Sequence, residues 1–301
     1  MFLSRTVFFS SLCLVLLLSM TSAWAAEDGT PEGVEALVVE EESQGFEFLH
    51  RSALQIRATP LGLSLFSDTG FALSLWDNPE SALLSNTKLE FGAATSLSPA
   101  FGWAGPYVEF VPLAVLRLRV AAQFMGYLGN FGYLYVPDDG NDWSLDALDQ
   151  SADQGLGEAS TGYLIQGLIQ PQIRVGRIVV MAETHFYWIS MDVPGNYYEP
   201  YFDMLFAPDE FYFFTRPTLG YLIGSDLSEG YVLLGARWER AATSNTELVR
   251  DTVGVVVNWK IHKSLMTWGD PSLAGFGGVF IDHPNRGEIS PYLGVQFLTS
   301  F

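Results

Sequence analysis

From about residue 46 onward, apolar and polar positions alternate with a period of two, and Gly, Asp, Asn, Ser and Pro interrupt the pattern at intervals. In the stretch 114–135, Leu116, Leu118, Val120, Ala122 and Phe124 fall on one side. Arg117, Arg119, Gln123 and Tyr127 fall on the other. Such alternation predicts a β-strand with two unlike faces. Applied along the chain, it predicts about twelve strands, with ten or fourteen also compatible. They lie near 46–66, 71–77, 86–97, 104–111, 114–135, 162–175, 178–191, 210–223, 231–240, 247–262, 276–282 and 288–301. Turns are predicted at Ser67–Gly70, Gly176-Arg177 and Ser225–Gly230.

The apolar material is abundant, at 49% of residues against 16% charged, yet no apolar run after residue 25 is long enough for a membrane helix. In lipid every backbone N–H and C=O needs a partner, so strands that face lipid must close on themselves. The expected fold is therefore all-β: a transmembrane antiparallel up-and-down barrel over 46–301. Connections after odd strands are expected outside, because the two longest follow predicted strands five and seven, and the short turns after strands four, six and eight then face the periplasm. Tyr133, Tyr135, Trp188, Tyr197, Tyr198, Tyr201 and Phe202 are read as an outer aromatic girdle, and Trp76, Trp259 and Phe301 as the inner one. A soluble antiparallel sandwich is the competing architecture.

Alternation also assigns an interior. Ten bases are expected there: Arg51, Arg57, Lys88, Arg117, Arg119, Arg174, Arg216, Arg237, Arg250 and Lys260. Four acids accompany them (Glu90, Glu109, Glu183 and Glu239), together with His185, His262, Asn258 and several glutamines. A charge facing lipid at mid-membrane costs about 2–4 kcal/mol, so inward placement itself needs no special explanation. The excess of bases does. Either it forms the wall of a narrow anion-favouring pore, or it belongs to an Arg/Glu network that fills the interior.

The ends of the chain supply context. Arg5, the apolar run Leu12–Leu18 and Ser22-Ala23-Trp24-Ala25 predict a secretory signal over 1–25. The single cysteine, Cys13, lies inside that signal, so the exported protein is expected to have no disulfide or thiolate chemistry. Residues 26–45 read as an acidic periplasmic leader. With 15 Lys+Arg against 34 Asp+Glu, the chain would repel phosphate backbones, and no nucleic-acid partner is expected. A second acidic stretch, 137–158, reads as an external loop.

Leu293, Val295, Phe297, Thr299 and Phe301 share one face of the last predicted strand, and Phe301 is the final residue. With the export signal, this ending resembles Gram-negative outer-membrane β-barrels. The resemblance implies an outer-membrane location, contact with lipid and lipopolysaccharide, and recognition of Leu293, Val295, Phe297 and Phe301 by the barrel assembly machinery. By analogy with small porins, it also implies small anions or acidic oligosaccharides as solutes. His283-Pro284-Asn285-Arg286-Gly287 resembles the outer-membrane esterase signature only at its His and Gly, because Asn285 stands where the serine nucleophile belongs. Glu183 and His185 share a strand face, and a hydrogen bond inside the barrel is their expected role. Asp138–Asp142 lacks full calcium-loop spacing. No catalytic residue, metal or cofactor is expected. The leading expectation is a passive channel. A closed structural or surface-interaction barrel is the alternative, and a lipid-acting hydrolase is third.

Overall fold

The computed structural model describes residues 46–58, 61–76, 81, 83–84, 87–128, 134, 143–154, 159–224, 230–261, 270–285 and 290–300. The expected signal and leader, His262, Tyr133, Tyr135, the Asp138–Asp142 cluster and Phe301 lie outside those residues. Twelve antiparallel strands close into a barrel. They are β1 (Phe46–Ala58), β2 (Leu61–Trp76), β3 (Thr87–Leu97), β4 (Phe101–Leu113), β5 (Leu116–Leu128), β6 (Ala159–Val175) and β7 (Ile178–Met191), followed by β10 (Asp209–Ile223), β11 (Tyr231–Thr243), β12 (Val249–Lys260), β13 (Ser272–Asp282) and β14 (Pro291–Ser300). Each strand pairs with its sequence neighbour in the wall. The seam is β1 against β14, from Arg51↔Ser300 to Arg57↔Gly294. Closure leaves no open sheet edge, which is what a strand needs where water is absent.

The first strands differ from the expected boundaries. The chain reverses between Ala58 and Leu61, which are register partners, and Ser67–Gly70 lies in mid-strand opposite Leu49–Ser52. The polar run Ser-Asp-Thr-Gly mimics a turn. Its side chains alternate like the rest of β2, however, and Asp68 faces Arg51 across the ladder. Gly70 and Gly92 are also register partners, and a Cβ on Gly92 would come within 2.2 Å of the Thr69 carbonyl oxygen, so this crossing accepts no side chain.

The outer wall is apolar. Phe71, Val108, Val120, Phe124, Ile165, Ile173, Phe186, Leu219, Val255 and Leu293 are all exposed, as a lipid-facing belt requires. Two connections at the odd-turn end carry structure of their own, where only loops were expected. Helix α1 (Leu145–Gln154) lies in the β5–β6 connection, and β8 (Tyr197–Glu199) pairs with β9 (Met204–Phe206) between β7 and β10.

Candidate functional site

The β8–β9 hairpin folds into the barrel's mouth at the end where odd connections lie. Tyr197, Phe202, Met204 and Phe206 are buried there with Phe101, Trp103, Tyr127, Leu164, Ile189 and Tyr212 of the wall. The aromatic rings interlock across the opening. Phe202 meets Tyr212 at 4.6 Å between centroids, Tyr187 at 5.0 Å and Trp103 at 6.1 Å, and Tyr201 meets Phe66 of β2 at 5.9 Å. Trp143 and α1's Leu148 cover the hairpin from outside, against Tyr198 and Leu205. The expected outer girdle of Tyr197, Tyr198, Tyr201 and Phe202 is therefore corrected: these side chains form a plug inside the mouth. The connection has no alternating pattern to direct side chains outward, and folding inward removes four aromatic rings from water.

Polar straps hold the plug. Arg57 donates from Nη1 to the Tyr201 carbonyl at 2.5 Å and from Nη2 to that of Pro200 at 3.4 Å. Arg250 donates from Nη1 to the Phe202 carbonyl at 2.5 Å. Glu199 accepts from the Tyr127 hydroxyl and, at 2.6 Å, from the Phe202 N–H. Burial pushes the Glu199 carboxyl up to about 7, and the hydrogen bonds and Arg57 only partly oppose that shift. Asp203 takes a left-handed φ of 54° at the hairpin tip, a conformation that Asp tolerates better than most residues. Its carboxylate accepts from Tyr198 at 2.8 Å and lies 3.2 Å from His283 Nε2. The other ring nitrogen of His283 accepts from the Asn285 N–H at 3.1 Å. His283 is thus a buried tie between the β13–β14 connection and the plug.

Beyond the plug the interior is crossed by ion pairs. Arg117 binds Glu109 with two parallel bonds, Nε to Oε1 at 2.7 Å and Nη2 to Oε2 at 2.6 Å. Arg119 binds Asp68 the same way, at 2.5 and 2.8 Å, and its guanidinium lies 4.2 Å over the Tyr107 ring. Arg51 reaches Glu90 at 2.5 Å, and Lys88 meets the same carboxylate at 2.9 Å. The Arg119–Asp68 contact joins β5 to β2 and the Arg51–Glu90 contact joins β1 to β3, so both cross the interior between strands that are not neighbours. A second cluster holds Arg216 on Glu183 through Nε at 2.6 Å, with His185 Nε2 3.5 Å from the same carboxylate and Gln166 2.9 Å from His185 Nδ1. Arg237 donates to Thr218 at 3.0 Å and lies 3.7 Å from Glu239.

Arg174 sits at the even-turn end, donating to the Gly176 carbonyl at 3.0 Å. Lys260 ends β12 opposite Ser272 and Tyr231. Leu293, Val295 and Phe297 belong to β14, the strand that closes on β1. Four acids inside the barrel were absent from the expected interior: Asp68, Glu199, Asp203 and Glu210. Asp68 shares a face with Phe66 and Gly70 but was hidden by the turn-like run Ser67–Gly70, whereas Glu210 shares a face with Tyr212 and Arg216 and was legible from the period. The other two sit in an irregular segment and carry no periodic signal.

No protein-family model matches the chain, and no curated protein does. Among solved structures, the chain is similar to the β domain of the Bordetella autotransporter BrkA, at 11% identity and a TM-score of 0.46, over 85% of this chain and 99% of that one. It is similar to LpxR from Salmonella typhimurium, at 11% identity and a TM-score of 0.42, over 83% and 99%. It is also similar to OmpT of Vibrio cholerae, at 8% identity and a TM-score of 0.37, over 88% and 100%. The closed wall, the apolar exterior and the charged interior together make this chain an outer-membrane β-barrel in fold.

Proposed function

We propose that the protein is a closed barrel of a Gram-negative outer membrane, whose plugged outer end serves as a rigid surface platform and not as an open passage. The observation that carries this reading is the strapped β8–β9 hairpin, which contacts strands on all sides of the mouth. The ion pairs beyond it support the same reading, since each carboxylate there is engaged by at least one cation. The exposed acids Asp146 and Asp153 of α1 flank the platform and suit basic or cation-bridged partners such as lipopolysaccharide. The test is conductance of the purified protein in planar bilayers. Silence of the wild type is expected, and steady anion-selective current would overturn the proposal.

A passive anion channel is the second reading. It is favoured by the arginine side chains that retain some exposure beyond the plug, Arg117 at 25% and Arg216 at 32%. It requires the hairpin to leave the mouth. We take the barrel to be non-catalytic, on the support that His283 is wholly buried and has both ring nitrogens engaged by Asp203 and Asn285. Phospholipid or lipid A hydrolysis lost on His283→Ala would sink that view.

A further inference from the structure

The apolar exterior carries a hollow. Across β6, β7, β10 and β11 a depression of about 620 Å³ opens on the lipid side. Its floor is Pro171, Ala182, Pro217 and Ala236, four short or ring-closed side chains on adjoining strands. Longer side chains, Ile173, Leu219 and Trp238, stand around it. The register shows why the floor is low. Pro171 cannot donate to the ladder, and β6–β7 pairing skips from Ile169↔Thr184 to Gln172↔Met181. Pro217 does the same to β10–β11, which skips from Thr215↔Arg240 to Thr218↔Arg237.

In hydrocarbon such a hollow finds no water to fill it, and leaving it empty forfeits dispersion contacts along its whole lining. Something apolar and slender must occupy it. A second feature identifies the occupant. The β6–β7 turn just beyond the hollow carries the exposed Arg177, whereas most other bases among the described residues lie inside the barrel or are hydrogen-bonded. The Arg177 carbonyl accepts from the Leu222 N–H at 2.8 Å, which fixes the turn against β10. About five residues of strand separate Pro171 from that turn, roughly 17 Å at the strand rise. That is close to one leaflet of a ~30 Å hydrocarbon core. We propose that the hollow and the Arg177 turn together bind one anionic phospholipid, with an acyl chain seated over Pro171–Ala182–Pro217 and the phosphate at Arg177. The binding requires only that the barrel lie in a bilayer and is independent of whether its interior is closed.

The test uses the full exported chain in mild detergent with added phosphatidylglycerol or phosphatidylcholine, read by native mass spectrometry. One phosphatidylglycerol is expected to stay on each wild-type barrel. Ala236→Phe fills the hollow and should remove that adduct for both lipids. Arg177→Gln should lower phosphatidylglycerol retention about tenfold, the scale of one charge-assisted bond, and phosphatidylcholine retention less, because the choline cation already offsets that lipid's phosphate. Ala122→Phe, on the exterior of β5, should behave as wild type. Heat-modifiable gel migration confirms folding, and Ala182→Leu replaces Ala236→Phe if that variant does not fold. The proposal is overturned if the wild type holds no lipid, if the hollow-filling variant keeps it, or if Ala122→Phe loses it equally. It is equally overturned if a barrel dimer is present and Ala236→Phe abolishes it, because a second copy would then be the occupant.

Discussion

The plug divides its stabilisation between charged straps and buried rings, and the division predicts how it opens. Replacing Arg57 and Arg250 by Met removes three hydrogen bonds to the Pro200, Tyr201 and Phe202 carbonyls and keeps apolar bulk in the wall. A hydrogen bond to a charged group is worth about 1.5–3 kcal/mol when intact, and the long Pro200 contact falls at or below the low end. The double variant should therefore loosen the hairpin by about 3–6 kcal/mol. The buried Tyr197, Phe202, Met204, Leu205 and Phe206 oppose release more strongly, since each contributes about 1.5–3 kcal/mol on burial. Burial wins, so removing the straps should give only brief, rare openings.

Adding Phe202→Ala and Phe206→Ala costs a further ~3–5 kcal/mol each and should tip the balance to a hairpin mostly outside the mouth. Single-channel recording in planar bilayers reads this directly: silence for the wild type, short bursts for the Arg pair, and sustained current for the combined variant. The reasoning fails if a folded barrel lacking the whole 194–207 segment stays silent. In that case the ion-pair layer would be the barrier, and the plug would merely cover it.

Two further outcomes follow from the same contacts. Asp68→Asn leaves Arg119 without its bidentate partner. Because the Asp68 side chain is one-fifth exposed, screening should limit the loss to about 1–3 kcal/mol, checked by urea unfolding in liposomes with an Asp68/Arg119 double-mutant cycle in which zero coupling would contradict the pairing. Glu199 has its carboxyl raised from 4.5 to about 7, so its contribution to seating the plug is full below pH 4.5, declines between pH 4.5 and 7, and is lost above. Protease cleavage of the 192–208 connection should accordingly speed up as pH rises through that window and be flat for Glu199→Gln, whereas cleavage that slows with rising pH would defeat the assignment.

What was legible in the sequence was whatever has a period. The long strands β5, β6, β7, β10, β11 and β12 alternate between lipid and interior, and their apolar faces are visible without a structure. The number of strands was legible too, although the first reversal, expected at Ser67–Gly70, occurs between Ala58 and Leu61. The error at Ser67–Gly70 shows the limit of turn chemistry as a signal. Four turn-forming residues read locally as a reversal, and only the pairing of Asp68 with Arg51 and Arg119 shows that they serve as strand. The plug was illegible for a different reason. In Tyr197–Phe206 almost every residue is large and apolar or acidic, so no face can be assigned. Whether such a segment girdles the rim or enters the mouth is decided by partners far away in the sequence, such as Arg57 and Arg250.

The bases of the interior bear on the choice between a channel wall and a structural network, and their chemistry separates the two. A pore that lowers the Coulomb barrier for anions needs positive charge, and Lys supplies it as well as Arg. A network needs donors in fixed geometry, which only guanidinium provides: Arg117 spans both oxygens of Glu109, Arg119 spans both of Asp68, and Arg57 reaches two successive carbonyls. Arg117→Lys/Arg119→Lys keeps every charge and breaks both bidentate pairs. If the interior is a network, this variant should unfold at lower urea than the wild type by an amount matching about one lost charge-assisted bond per site, roughly 3 kcal/mol in all. If the interior is a conducting wall, it should leave stability nearly unchanged and preserve any anion preference. Because Arg predominates over Lys among these bases, and because strands as distant as β2 and β5 are joined by them, the first result is the expected one.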